Sequence, residues 1–526
     1  MHAFFYFGPI RNKTPRNETM ILEQFPNKEK FIELAKSANV IPVCTRVLAD
    51  TDTPVSILQK CYNKNKECFL LESVEGGERW ARYSFLGVSA FGTVKIFKDH
   101  VEIATRNNQE KILHKNDPLG VMRELINGYT PADIPDLPRF WSGLTGYFTY
   151  EMVSFFEDIP VSLPEDTPYG HFIIPNLMVI FDNVKQTLTC VKICYLLGAS
   201  GESDPDKSDP YNPGKAYDSA KEDLATLVET LHQPFEKPVH ERVPDVSFTP
   251  QTPSAQYLKG VETIKEHIVE GDIFQAVYSQ PFSCKSSIDP ILIYRAQRYI
   301  NPSPYMFFMN FSNTVIAGSS PETMVRLENK IATLRPIAGT RPRGATEQQD
   351  RRLADELLND EKERAEHIML IDLGRNDLGR IAEAGTVQVT DTMVIERYSH
   401  VMHLVSNITC DLKQDCDAFD LFKATFPAGT LSGAPKIRAM EIISELENHP
   451  RGVYGGAAGY ISFTGNMDFA ITIRTAVMEK GTLTVQAGAG IVHDSDPQIE
   501  LEECKNKAKS VEMALKLALS NINGGR

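Results

Sequence analysis

In the first half of the chain, apolar positions come as short alternating or continuous runs, the pattern of strands buried on one or both faces. Such runs are Cys68 to Leu71, Thr93 to Phe97, Ile173 to Phe181 and Leu188 to Leu196, with one helix expected over Lys28 to Ala38. The texture breaks between Gly198 and Gln256: Gly198 to Asp218 reads as an exposed loop, Ser219 to Leu231 as a helix, and Gln233 to Pro253 as a Pro-rich stretch. A boundary is expected near residue 250. Beyond it, Ser254 is expected to cap a helix with the apolar face Tyr257, Val261, Ile264 and Ile268, stopped by Gly271. Another helix should run from Glu347 into Leu373. Hairpins are expected from Gly452 to Val492, with turns at Thr464–Asn466 and Lys480–Gly481, and a final helix after Asp496-Pro497. Strands and helices do not alternate strictly, which disfavours a doubly wound parallel sheet and points to an α+β fold with large, mainly antiparallel sheets.

Length and composition narrow the function. A chain of 526 residues predicts about two to four domains. Lys+Arg 55 against Asp+Glu 69 gives 55 − 69 = −14, which argues against nucleic acid and anionic membrane surfaces as partners. No run of 18 apolar residues suggests a membrane span. Met1 to Ile10 is apolar but short and lacks a preceding basic residue, a poor signal peptide. The nine cysteines are scattered without a CxxC pair, so reduced thiols in a cytoplasmic protein are expected.

The common phosphate-binding signatures are missing, as are HExxH and GxSxG. Glu363 and Glu366 are three apart on an expected helix, as are Glu500 and Glu503 on the last one, so each pair shares a face. If both helices meet at one cleft, four carboxylates converge, a donor set suited to Mg²⁺. A solvated helix face has the same spacing, and Glu503 with Lys507 fits it. His403 lies in the apolar run Val401 to Val405, either a hydrogen-bonded core residue or a general acid or base. Arg474 interrupts the run Ala470 to Val477; buried, it needs an anionic partner, and a carboxylate ligand is one. Ile337 to Thr340, Thr430 to Pro435 and Ala487 to Gly490 could present backbone amides to an anion, the second at a helix start. Together these suggest a small, multiply carboxylated substrate with Mg²⁺.

Longer segments carry a resemblance: GDIFQAVYSQPF (271–282), NPSPYMFF (301–308), GSSPE (318–322), RPIAGTRPRG (335–344), ERAEHIMLIDLGRNDLGR (363–380), FPAGTLSGAPK (426–436) and RGVYGGAAGY (451–460). With them the chain resembles the chorismate-utilising enzymes, specifically the large subunit, component I, of anthranilate synthases. That resemblance implies sheets packed as a sandwich with surrounding helices. It also implies 20–250 as an N-terminal regulatory region and 251–526 as a chorismate-binding catalytic domain; residues 1–19, which precede an ordinary-looking protein start at Met20, are expected to be an extension.

The resemblance further implies conversion of chorismate and ammonia to anthranilate and pyruvate, the first step of tryptophan biosynthesis. Glu366 and Glu503 match ligands of Mg²⁺, with Glu363 and Glu500 holding its waters. Gly339, Thr340, Tyr454, Arg474, Gly488, Ala489 and Gly490 match substrate-contacting positions, and Lys507 balances charge. Glu322 is expected as general acid, its pKa raised by burial and neighbouring carboxylates, and His403 as the residue supporting loss of pyruvate. LLES (70–73) resembles a tryptophan-inhibition motif, with Glu72, Ser73, Pro304, Tyr305 and Met306 at the matching positions. The implied partner is a separate glutamine amidotransferase subunit, component II, in a heterotetramer of two plus two.

Two positions separate relatives. Water-adding members carry a lysine where this chain has Gln275, and aminodeoxychorismate synthases of one type carry a nucleophilic lysine where it has Ala338. Both point to anthranilate. Aminodeoxychorismate synthase component I, a synthase releasing 2-amino-2-deoxyisochorismate, and a non-catalytic tryptophan-sensing paralogue are the rivals.

Overall fold

The computed structural model describes residues 21–74, 82–105, 108–196, 212–234, 247–398 and 401–524. The expected extension 1–19 lies outside them, as do 198–211 of the expected loop and 235–246 of the Pro-rich stretch.

Among the described residues twenty-three strands join through one continuous hydrogen-bonded network, and the ladders between them are antiparallel. The expected strands are present: Cys68–Glu72, Tyr83–Ile96 (containing the run from Thr93), Gly170–Asp182 and Thr187–Tyr195. Two ladders cross residue 250, Cys68–Glu72 on Tyr305–Asn310 and Gly143–Phe148 on Ala457–Ser462. Strands such as Gly143–Phe148 are buried along their whole length, covered on both faces. The largest apolar cluster accordingly draws on both halves of the chain, from Val40 to Ile471.

Local chemistry explains where the elements differ from expectation. The helix Pro213–His232 starts six residues before Ser219, because Asn212 accepts from Gly214 N at 2.9 Å and Lys215 N at 3.2 Å and Pro213 fits its first turn. Pro213 and Gly214 had read as loop. Ser254 is the first residue of the helix Ser254–Glu270, and Pro253 occupies the cap position. The helix from Lys28 ends at Leu34. The single helix expected from Glu347 is two, Glu347–Asn359 and Glu361–Gly379, broken at Asp360, whose carboxylate accepts from the Lys362 and Glu363 amides. Arg474 sits between the strands Met467–Ile471 and Thr475–Glu479 at φ 49°, not inside one strand.

Phe148 joins the two halves of the chain, its ring centroid 4.4 Å from Phe422 and 4.7 Å from Phe172. Replacing Phe148 with Ala is expected to cost about 3–5 kcal/mol, read as a lower urea midpoint at unchanged slope.

Candidate active site

One cleft of about 550 Å³ gathers side chains from the helix Glu361–Gly379, the final helix Pro497–Gly524, the strands Gln275–Lys285, Ile337–Pro342, Val401–Asp411 and Thr482–Ile491, and the connecting segments around Glu322, Thr430, Tyr454, Arg474 and Val492. The break at Asp360 starts a new helix there, which brings Lys362, Glu363 and Glu366 to the cleft. Glu500, Glu503 and Lys507 reach it from the final helix.

The four glutamates feel one another. Burial raises the Glu366 carboxyl above its usual range, and Glu363 and Glu503 push it further. Burial raises Glu500 too, with Glu503 adding to it. Glu363 accepts from Arg341 Nη1 at 3.1 Å, and Glu503 pairs with Lys507 at 2.8 Å. Lys507 Nζ also donates to Gly488 O at 2.9 Å, so it ties the final helix to the cleft floor. No three of these glutamates bring ligand atoms within 4.8 Å of one another; among the described residues only His267, Glu270 and Asp272 do so. Mutually repelling carboxylates around an open space are a donor set that fits a hydrated divalent cation using one or two direct ligands.

Glu322, between the strands Thr314–Ser320 and Thr323–Glu328, accepts from Thr430 Oγ1 at 2.8 Å. Burial pushes its carboxyl up to about 7, while Thr430, Arg474 and Lys507 pull it down. The direction is the expected one, but its neighbours are cations and a hydroxyl, not carboxylates. Arg474 is solvent-accessible by area yet densely surrounded by protein. Both hold because it lines a concave cleft. Burial lowers its pKa and Glu322 opposes this; among the described residues no carboxylate forms an ion pair with it. An unpaired guanidinium in such a place suits an anionic ligand.

His403 Nδ1 lies 3.0 Å from Gly339 O and 3.1 Å from Thr340 Oγ1. A carbonyl only accepts, so Nδ1 carries the proton and Nε2 keeps the lone pair. Burial lowers the imidazole pKa, which favours that neutral form. His403 thus lines the cleft rather than the core. Gly339 holds the left-handed φ of 63° that favours glycine, and a Cβ there would meet Leu357 Cδ1 at 2.8 Å and Glu363 Oε2 at 3.1 Å. Tyr454 is buried, and its hydroxyl comes so near Gly488 that a Cβ on Gly488 would lie 2.9 Å from it.

Gly488 and Gly490 line the cleft, but Ala489 does not: strand alternation turns its methyl into the core beside Tyr257 and Ile264. The segment Thr430 to Pro435 presents no helix amides to the cleft either. Gly433 and Ala434 pair with Gln275 and Ala276, and it is Thr430 and Leu431 that face inward. Sequence reasoning did not single out Thr430, Lys362 or Gln486 individually. Thr430 stood within a quoted segment, whereas Lys362 gave no signal beyond its place beside Glu363.

The residues expected to bind tryptophan lie elsewhere, on adjacent strands. Glu72 pairs in register with Met306, and Val74 N donates to Ser303 O at 3.2 Å, next to Ser73 and Pro304. Buried Glu72 accepts from Tyr294 at 2.6 Å and from Arg298 at 2.8 Å. Tyr305 points to the other face and donates to Asp468 at 2.9 Å.

Comparison with known proteins places this geometry. A family model described as chorismate binding enzyme matches residues 66–513. The chain is 45% identical to anthranilate synthase component 1 of Pseudomonas putida, covering 94% of this chain and 99% of the relative. Against the component 1 protein of Aquifex aeolicus identity is 44%, covering 93% and 97%. The crystal structure of anthranilate synthase component I from Streptococcus pneumoniae superposes at TM-score 0.68 with 39% identity, covering 82% of this chain and 92% of that one. The menaquinone-specific isochorismate synthase of Escherichia coli shares the fold at TM-score 0.67 with 19% identity, covering 93% and 98%. Among the described residues no helix is long and apolar enough to cross a membrane. The matches span nearly the whole chain and include every segment that builds the cleft, so the chain belongs to the chorismate-binding enzymes and, within them, to the anthranilate synthase component 1 proteins.

Proposed function

We propose that this chain converts chorismate and ammonia to anthranilate and pyruvate in a Mg²⁺-dependent reaction. The observation that carries the reading is the unpaired Arg474 facing a protonatable Glu322 across a cleft ringed by four glutamates. Arg474 and the Tyr454 hydroxyl take the enolpyruvyl carboxylate, and Gly488 and Gly490 on the floor strand, lacking side chains, let the substrate lie close. Glu366 and Glu503 would hold the Mg²⁺, with Glu363 and Glu500 on its waters. Bound there, the ion would neutralise the ring carboxylate and offset the repulsion among the glutamates.

Ammonia adds at C2 as the C4 hydroxyl leaves with the Glu322 proton as water. His403 Nε2, freed by the Nδ1 bond to Gly339, accepts the C2 proton as pyruvate departs and the ring becomes aromatic. Ala338 lines the cleft where a covalent route would need a nucleophile, so amination at C4 by that route has no residue to run on.

The partner is a glutamine amidotransferase, component II, in a two-plus-two heterotetramer that supplies ammonia in the cytoplasm. L-tryptophan binds at Glu72, Ser73 and Pro304 to Met306 and weakens chorismate binding, and chorismate weakens tryptophan binding to the same degree. Anthranilate fluorescence with chorismate, ammonium and Mg²⁺ tests this: emission that vanishes with chelator and falls with tryptophan is expected. Chorismate consumption without anthranilate would overturn the reading. Ser73→Ala should raise the tryptophan concentration for half-inhibition about tenfold, roughly 1.4 kcal/mol of lost binding, read from inhibition curves at fixed chorismate.

A further inference from the structure

The segment that carries Tyr454 is shaped by residues from the other half of the chain. Glu151, in the short helix Tyr150–Phe155, accepts from Arg451 N at 2.7 Å and Gly452 N at 3.1 Å through one oxygen. Tyr150 N donates to Gly452 O at 2.8 Å, and the Arg451 guanidinium lies 4.5 Å from the Tyr150 ring centre. Glu151 is buried, and its second carboxyl oxygen has no hydrogen-bond partner among the described residues.

Arg451 distributes this anchoring around the cleft. Its guanidinium, 2% exposed, donates to Leu431 O at 2.6 Å, to Val277 O at 2.7 Å and to both oxygens of Glu447 at 2.7 and 2.8 Å. Leu431 adjoins Thr430, which holds Glu322. Glu447 in turn accepts from Ser279 N at 2.7 Å, and the Ser279 hydroxyl accepts from Gln486 at 2.9 Å on the cleft floor. A planar five-donor group in one fixed pose therefore ties the Tyr454 loop, the Thr430 loop and the floor together.

We infer that Glu151 and Arg451 are positioning residues for chorismate, through which residues before the expected boundary near 250 set the placement of Tyr454 and Thr430. This rests on reading the cleft as a chorismate site. Burial pushes the Glu151 carboxyl up to about 7, so a neutral side chain that still accepts from the two amides should replace it well.

The test compares Glu151→Ala with Glu151→Gln in the full chain, by chorismate titration calorimetry and by ammonia-dependent kinetics. Glu151→Ala is expected to raise KM for chorismate roughly ten- to hundredfold, since small displacements in a preorganised site cost that much, while Glu151→Gln restores most of it. Leu227→Ala, in the core of the helix Pro213–His232, is the control for lost stability alone and should melt earlier with KM unchanged. Unchanged KM and affinity in Glu151→Ala would overturn the inference, as would a Glu151→Gln protein as impaired as the alanine variant. Should Glu151→Ala fail to fold, Tyr150→Leu removes the ring beneath Arg451 and leaves the backbone bonds. A raised KM there supports the inference, and an unchanged one overturns it. A wild-type protein that neither binds nor consumes chorismate would instead sink the functional reading itself.

Discussion

Glu322→Gln is expected to lower kcat by roughly 10²–10⁴-fold, the usual worth of a positioned general acid, with little change in chorismate affinity. The amide keeps the bond from Thr430 but has no acidic proton for the departing hydroxyl. The pH profile follows from the same group. An acid works only while protonated, and burial holds this carboxyl at about 7, above the roughly 4.3 of a free glutamate. Turnover per unit of free ammonia should therefore be full below pH 7 and fall as pH rises through it. Expressing the rate per free ammonia matters, since the nucleophile's own deprotonation moves the raw rate the other way. A profile flat from pH 6 to 9, or a fully active Glu322→Gln, would remove Glu322 from the role.

The second large effect is expected from Glu366→Gln combined with Glu503→Gln. Activity at ordinary Mg²⁺ should fall about a thousandfold, because charge stabilisation by a bound metal supplies several kcal/mol. Without metal, Glu366→Gln alone should melt higher than the wild type, since burial and repulsion from Glu363 and Glu503 penalise the Glu366 carboxylate. Mg²⁺ should raise the melting temperature of the wild type and not of the double variant, as ligand binding to the native state requires. Turnover that survives a strong chelator would contradict the metal reading outright.

Much of the fold was legible because periodicity reports burial directly. The hairpins from Gly452 to Val492 appeared with their turns where expected, since Gly465 and the Lys480-Gly481 pair adopt the positive φ those turns need. Boundaries were less legible where one residue type serves two purposes. Pro213 and Gly214 read as loop but start a helix, and Asp360 looked like one more helical position but ends one helix and caps the next. At the candidate site, the i,i+3 spacing paired Glu363 with Glu366 and Glu500 with Glu503. It carried no information that the two helices face each other.

What the sequence by itself determined is the inventory: the antiparallel, mixed helix-and-sheet class, the acidic pairs, the small-residue segments and the resemblance those segments carry. Tertiary structure decided which members of the inventory share a space. It put Glu322 among cations rather than carboxylates, turned Ala489 away from the cleft, and left Arg474 without an ion-pair partner among the described residues. It also brought Glu151 across three hundred positions of chain to hold Arg451. The reason is that spacing along a helix or strand sets which way neighbouring side chains point over a few residues. The pKa of a carboxyl and the partner of a guanidinium depend on groups delivered by distant elements, and only the folded chain brings those within reach.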